Sequence, residues 1–142
     1  MLILRLGAEA ADTAPDGADA LYRRFRALLE RDFAVAHDVG HYADALGYST
    51  RTLARATQAA AGRTPKQAIQ DRIVLEARRL LAHTDLPSAT IATQLGFRDP
   101  SNFSAFFATH TATTPTAFRA SERRPGVQRR SSARGNAAAS AA

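Results

Sequence analysis

His37 and His41 stand four residues apart, a spacing that puts two imidazoles on one helix face, with Asp38 and Asp44 close by. This is the beginning of a metal site, but no third ligand follows at a suitable spacing and the segment straddles a helix start, so neither a metal nor any other cofactor is expected. His83 and His110 fall at predicted helix C-termini, where a cation suits the dipole. The chain contains no cysteine, which removes thiolate zinc sites, cysteine nucleophiles and disulfide frameworks. There is no glycine-rich phosphate loop, no carboxylate pair in a pocket pattern and no Ser/His/Asp arrangement beyond chance, so no enzymatic chemistry is expected. What remains is arginine. Among the 19 basic residues only Lys66 is a lysine, and the planar guanidinium fork suits phosphates and guanine edges. Arg51 and Arg55 lie one helical turn apart, on the face opposite Leu53. Taken alone, such a pair reads as a solvated helix face.

The cations are unevenly distributed. Residues 1–48 carry five Arg against eight Asp and Glu, a net −3, whereas residues 49–142 carry fourteen Arg and Lys against five acids, a net +9. Such a half suits a polyanionic partner without naming one. The 142 residues and a 45% hydrophobic content are enough for one compact domain or two very small ones. Residues 1–6 are too short and too soon charged for a signal segment or a membrane span, so a soluble, cytoplasmic protein is expected.

The elements that must position these side chains are all helical. Residues 8–19 read as an acidic linker broken by Pro15 and Gly17, and Leu2 to Leu6 as the end of a helix. From Ala20, Leu21, Phe25, Leu28, Leu29 and Phe33 recur with helical period to about Ala36. Asp38 caps a short helix from Val39 to Leu46, ended by Gly47, and Ser49 caps another to about Ala61. Thr64-Pro65 opens a long helix to about His83 with Ile69, Ile73, Ala77, Leu80 and Leu81 on one stripe. Arg72, Arg78 and Arg79 on it are open to either role, with Arg78 read as structural and placed to pair with Asp71, Glu76 or other acids. Pro87 or Ser88 begins a short helix ending at Leu95-Gly96, Asp99-Pro100 begins one to about Thr111, and Thr114-Pro115 begins a last turn through Arg119. Residues 121–142 read as a disordered basic tail.

The strongest feature is self-similarity at an offset of about fifty residues. Tyr42-Ala43 with Leu46-Gly47-Tyr48 matches Ile91-Ala92 with Leu95-Gly96-Phe97, and Gly62-Arg63-Thr64-Pro65 matches Ala112-Thr113-Thr114-Pro115. Between these anchors Ser49 and Leu53 match Asp99 and Phe103. Each copy is a short helix, a glycine-bearing turn and a longer helix, the helix-turn-helix layout that places its second helix in a DNA major groove. Ala43 and Ala92 let the paired helices approach; Gly47 and Gly96 take the left-handed turn conformation.

The sequence here resembles the DNA-binding domain of the AraC/XylS family over about residues 22–119. The most specific stretch runs through Ala77-Arg78-Arg79-Leu80-Leu81, Thr84-Asp85-Leu86, Ile91-Ala92, Leu95-Gly96-Phe97 and Asp99-Pro100-Ser101-Asn102-Phe103-Ser104, then Phe107, Pro115 and Phe118-Arg119. Arg24 to Glu30 and Leu75 to Arg79 look most like regulators of aromatic-acid catabolism. The resemblance implies an all-α fold of two homeodomain-like helix-turn-helix subdomains, 20–64 and 84–120, joined by the linker helix 65–83. Residues 1–19 would be a remnant of the dimerisation helix and a linker, with no room for the family's cupin-like sensor, and dimerisation would belong to a longer parent chain.

Carried over by motif, the DNA-contacting residues are Arg51, Thr52 and Arg55 in the first unit and Ser101, Asn102 and Ser104 in the second, with phosphate contact from Arg98. The chain departs from the family where Ala105 stands opposite Arg55, where Ala108 replaces a phosphate-binding cation, and where Thr111 and Ala112 replace the usual Phe and Gly. The long helix spans roughly 28 Å at about 1.5 Å per residue, near the roughly 34 Å between major-groove faces, so two readers are expected to reach adjacent grooves. The implied partners are double-stranded DNA and, for an activator, RNA polymerase. A degenerate double helix-turn-helix that binds protein instead is the competing expectation, kept open by Ala105 and Ala108.

Overall fold

A computed structural model describes residues 15–124. Among them are seven α-helices and no strand: α1 Pro15–Asp32, α2 Val39–Leu46, α3 Thr50–Ala61, α4 Pro65–His83, α5 Ser88–Gln94, α6 Pro100–Thr111 and α7 Pro115–Glu122. The Leu2–Leu6 helix remnant, most of the acidic linker and the tail beyond residue 124 lie outside the described residues. The all-α expectation holds. The helices form two compact units whose boundary falls inside α4, between Leu75 and Glu76.

In the first unit α1 packs on α3 and α2, and α2 packs on α3. Phe25, Leu29, Tyr42 and Leu53 are completely buried, and Ile69 and Ile73 on the first half of α4 nearly so. Each large apolar side chain withdrawn from water contributes about 1.5–3 kcal/mol. Phe25 meets the Tyr42 ring edge-on at 5.6 Å. The Tyr42 hydroxyl donates to the Ala36 carbonyl at 2.7 Å, which closes the α1–α2 connection. Burial, with the nearby Asp32 charge, pushes the Tyr42 phenol up to about 12, so it stays protonated and keeps donating. Asp32, at the end of α1, is gripped by Arg31 Nε at 2.8 Å and by His41 Nε2 at 2.7 Å. Arg31 first, and His41 second, hold its carboxyl down at about 2. His41 thus has a structural partner, and no cluster of three metal-ligating residues exists among the described residues.

α1 begins at Pro15, earlier than the apolar pattern places it. Proline is accommodated in a first helical turn because its missing N–H has no intrahelical partner there. Ala18, buried, already joins Leu21 and Phe25 on the inner stripe. Pro15 and Gly17 therefore start a helix instead of breaking a linker. Asp38 has an extended backbone as N-cap of α2 but makes no side-chain capping bond. The expected caps do form elsewhere. Ser49 Oγ accepts from Thr52 N at 3.1 Å, Thr64 and Gln67 make a reciprocal capping box, and Asp99 and Thr114 accept from Ser101 N and Ala117 N.

The second unit contains α5, which packs on α6, and α6, which packs on α7. Ala77, Leu81, Ile91, Ala92, Leu95, Phe103 and Phe107 are buried. Phe103 lies 6.0 Å from Phe107, and Phe107 meets Phe118 edge-on at 5.5 Å. Arg119 on α7 donates from Nε to the Leu81 carbonyl at 3.0 Å and from Nη2 to the Thr84 carbonyl at 3.2 Å. Arg123 reaches the same Thr84 carbonyl and pairs with Asp85 at 2.8 Å. Two guanidinium groups thereby satisfy carbonyls that the end of α4 leaves open.

The second helices of the two repeats, α3 and α6, end alike. Gly62 closes α3 at φ +65° and Ala112 closes α6 at φ +61°, the only non-glycine with positive φ among the described residues. Left-handed backbone costs an L-residue about 1–2 kcal/mol, so Ala112→Gly is expected to raise stability by about 1 kcal/mol. Gly62→Ala, with open space around its Cβ position, is expected to lower it by a similar amount. Urea midpoints at unchanged m-value measure both; a null effect of both changes would show that the left-handed ends carry no strain.

Candidate nucleic-acid interface

Helix α3 is amphipathic, with Leu53, Ala56 and Thr57 buried. Arg51 and Arg55 both project from the opposite face and are exposed, together with Gln58 and Ala59. Neither arginine forms an ion pair among the described residues. Thr52 is half-buried beside them, and its Oγ1 accepts from the Ser49 hydroxyl at 3.0 Å. Gly47, at φ +81°, makes the turn that sends the chain from α2 into α3.

Helix α6 repeats this arrangement with different chemistry. Phe103 and Phe107 face inward, while Ser101, Asn102, Ala105 and Thr109 are exposed. Asp99 Oδ1 takes hydrogen bonds from the Ser101 hydroxyl at 2.8 Å and the Ser101 N–H at 2.9 Å. These two bonds hold the Asp99 carboxyl below its ordinary value. Arg98 is exposed in the turn before α6. Ser104 is half-buried and, two residues on from Asn102, sits about 160° around the helix from it. The structure brings Ser101 and Asn102 to the exposed face, with Ser104, about 60° around the helix from Ser101, at its half-buried edge. Ala105 and Thr109 lie on that exposed face as well. The signal was available, since they follow Asn102 at i+3 and i+7. Phe106 is half-buried, 5.2 Å from Phe97 and 4.3 Å from His110, so its ring is fixed against its own unit.

Electrostatics separates structural arginines from available ones. Arg63 pairs with Asp71 at 2.5 Å, and Arg72 pairs with Glu30 while its guanidinium lies 4.1 Å from the Phe33 ring centroid. The expected Arg78 pairing is not found. Glu76 bonds to Arg79 Nε at 2.9 Å, and Asp71 is occupied by Arg63. The reason is helical spacing: residue i+3 lies above Glu76, whereas i+2 points away from it. Arg51, Arg55, Lys66, Arg78 and Arg98 are exposed and enter no ion pair among the described residues.

Comparison with known proteins places this arrangement. A helix-turn-helix domain family matches residues 42–121. The chain is 34% identical over 101 residues to the HTH-type transcriptional activator RhaS of Enterobacter sp. (strain 638), covering 71% of this chain and 36% of that protein. It is 35% identical over 92 residues to RhaS of Escherichia fergusonii, covering 65% and 33% respectively. The chain thus spans about a third of the length of the curated relatives it matches. A transcriptional regulator from Chromobacterium violaceum, of the AraC-type DNA-binding-domain-containing proteins, superposes with a TM-score of 0.67 at 25% identity, covering 78% of this chain and 98% of that one. The DNA-binding domain of the global transcriptional factor AdpA, solved in complex with a target DNA, superposes with a TM-score of 0.65 at 31% identity, covering 75% of this chain and 97% of that one.

Proposed function

Because the chain belongs to the AraC-type helix-turn-helix family, we propose that it is the DNA-binding part of a transcription regulator and that α3 and α6 are its reading helices. The carrying observation is the exposure of Arg51 and Arg55, unpaired and one turn apart, on the face of α3 opposite buried Leu53. A guanidinium there has its bidentate fork available for a base edge. Site residues on this reading are Arg51, Thr52 and Arg55, then Arg98, Ser101 and Asn102. Ser104, half-buried at the edge of the same face, adds a contact from the flank.

On the same reading the two helices enter successive major grooves, and the regulator activates transcription with RNA polymerase as a further partner. The similarity to proteins named as activators and to a domain solved on its target DNA supports this. The competing protein-binding reading draws only on the uncharged outer face of α6.

Salt dependence separates the two. Each neutralised phosphate adds about −0.9 to the slope of log K against log salt. Four contacts would lower affinity roughly a hundredfold between about 50 and 200 mM salt. Fluorescence anisotropy with labelled duplex across that range is expected to show this drop. Flat, weak binding would favour the protein-binding module.

A further inference from the structure

Resting on the DNA-reading function above, we propose that the two readers recognise chemically different bases: α3 reads guanine through Arg51 and Arg55, and α6 reads adenine and the thymine methyl through Asn102 and Ala105. The operator is then bipartite in composition, with a guanine-dependent part and an adenine–thymine part.

The internal repeat supplies the register. At the offset of 50 that aligns Ser49 with Asp99 and Leu53 with Phe103, Arg51 corresponds to Ser101, Thr52 to Asn102, Arg55 to Ala105 and Gln58 to Ala108. Both helices carry the same inner face, since Leu53 and Phe103 are completely buried. The outer faces differ. α3 shows two arginines, whereas α6 from Pro100 to Thr111 contains no lysine or arginine. Guanine presents two acceptors, N7 and O6, and is read by a bidentate cationic donor. α6 has none to offer.

What α6 does present is specific in another way. The Ser101 hydroxyl proton is committed to Asp99 Oδ1. Asn102, exposed, is the only side-chain amide on the helix, and an amide both donates and accepts, as adenine N7 and N6 require. Next along the stripe comes the exposed Ala105 methyl. One turn further, the Thr109 hydroxyl donates to the Ala105 carbonyl at 2.8 Å, which commits its proton within the helix, and Thr109 adds a second methyl to the exposed stripe. An amide followed by methyl groups matches adenine and then the thymine 5-methyl, which accepts apolar contact from alanine or the threonine methyl. Phe106, held between Phe97 and His110, borders this stripe and adds no donor to it.

The test uses the 142-residue chain. Bound sequences are selected from a random duplex pool, and the selected site is resynthesised with uracil for thymine and 7-deazaguanine for guanine, one position at a time. Anisotropy at fixed salt is expected to show about a fourfold loss at one thymine when its methyl is removed. A loss of about fivefold or more is expected at one guanine when N7 is removed. Arg55→Ala should abolish the second sensitivity and leave the first. Ala105→Arg, at an exposed position where arginine is a good helix former, should convert the thymine preference to guanine, with folding checked by circular dichroism. Specific binding that is insensitive to uracil, or Ala105→Arg without any change in preference, would overturn this inference while the DNA-reading function stands. Failure of the pool to enrich any sequence would instead overturn the DNA-reading function itself.

Discussion

Arg55→Ala is expected to weaken binding to the selected duplex by about 5- to 150-fold, the range of one bidentate arginine–base contact, whereas Ser104→Ala is expected to leave affinity within about threefold of the parent. The contrast follows from position. Arg55 is exposed on the outer face of α3, one turn from Arg51 and without an ion pair among the described residues. Removing it takes away donors that only a ligand would engage, so its cost appears in binding and not in folding. Ser104 lies half-buried on the flank of α6, turned from the stripe that carries Asn102. A mobility-shift titration at constant ionic strength measures both. Comparable losses from the two substitutions would overturn the division of labour between face and flank, and a loss confined to non-specific competitor DNA would make Arg55 a phosphate ligand instead of a reader.

Phe107→Ala carries the largest expected effect on stability. Its ring is completely buried and lies between Phe103 and Phe118, which approach it from two sides of the second unit. Truncating such a residue costs about 3–5 kcal/mol through lost transfer energy and the cavity left behind. That is a large share of the roughly 5–15 kcal/mol that holds a typical domain folded. Urea unfolding followed by far-ultraviolet circular dichroism is expected to show a matching fall in the transition that reports the second unit. A loss below about 1 kcal/mol would mean that the remaining aromatics close the gap. Phe107→Leu, which keeps most of the apolar volume, should recover part of the loss.

Much of the fold could be read from residue order because its signals are local. Ser49, Thr64, Asp99 and Thr114 cap helices in the way their side-chain oxygens predict, and the apolar stripes through Phe25, Ile69 and Phe103 are buried. The repeat supplied the pairing of short and long helices before any packing was known. Less local features escaped. Pro15 begins a helix because the tertiary burial of Ala18 extends the inner stripe beyond what the pattern after Ala20 suggests. Glu76 pairs with Arg79 and not with Arg78 because helical angle decides between them, and Asp71 is reached by Arg63. Ala112 illustrates the intermediate case, in which the missing glycine was visible and the positive φ depended on the chain end keeping its repeat geometry.

The candidate site was legible as a pair of helices and less so as a set of side chains. Motif correspondence names residues but not their faces. It named Ser104, which stands half-buried at the flank, and read Ala105 only as a missing arginine, without Thr109, which shares its exposed stripe.

The sealed Tyr42 has a practical consequence. The chain has no tryptophan and three tyrosines, Tyr22, Tyr42 and Tyr48, all of them before the unit boundary in α4. Phenol emission and dichroism in the tyrosine band are therefore blind to the later helices, whose benzene rings are all phenylalanine, which gives the molecule an intrinsic one-sided optical label. Melting curves recorded through that label and through the peptide band can be compared without attaching a dye, and any gap between them reads out directly whether the halves come apart in one step or in two.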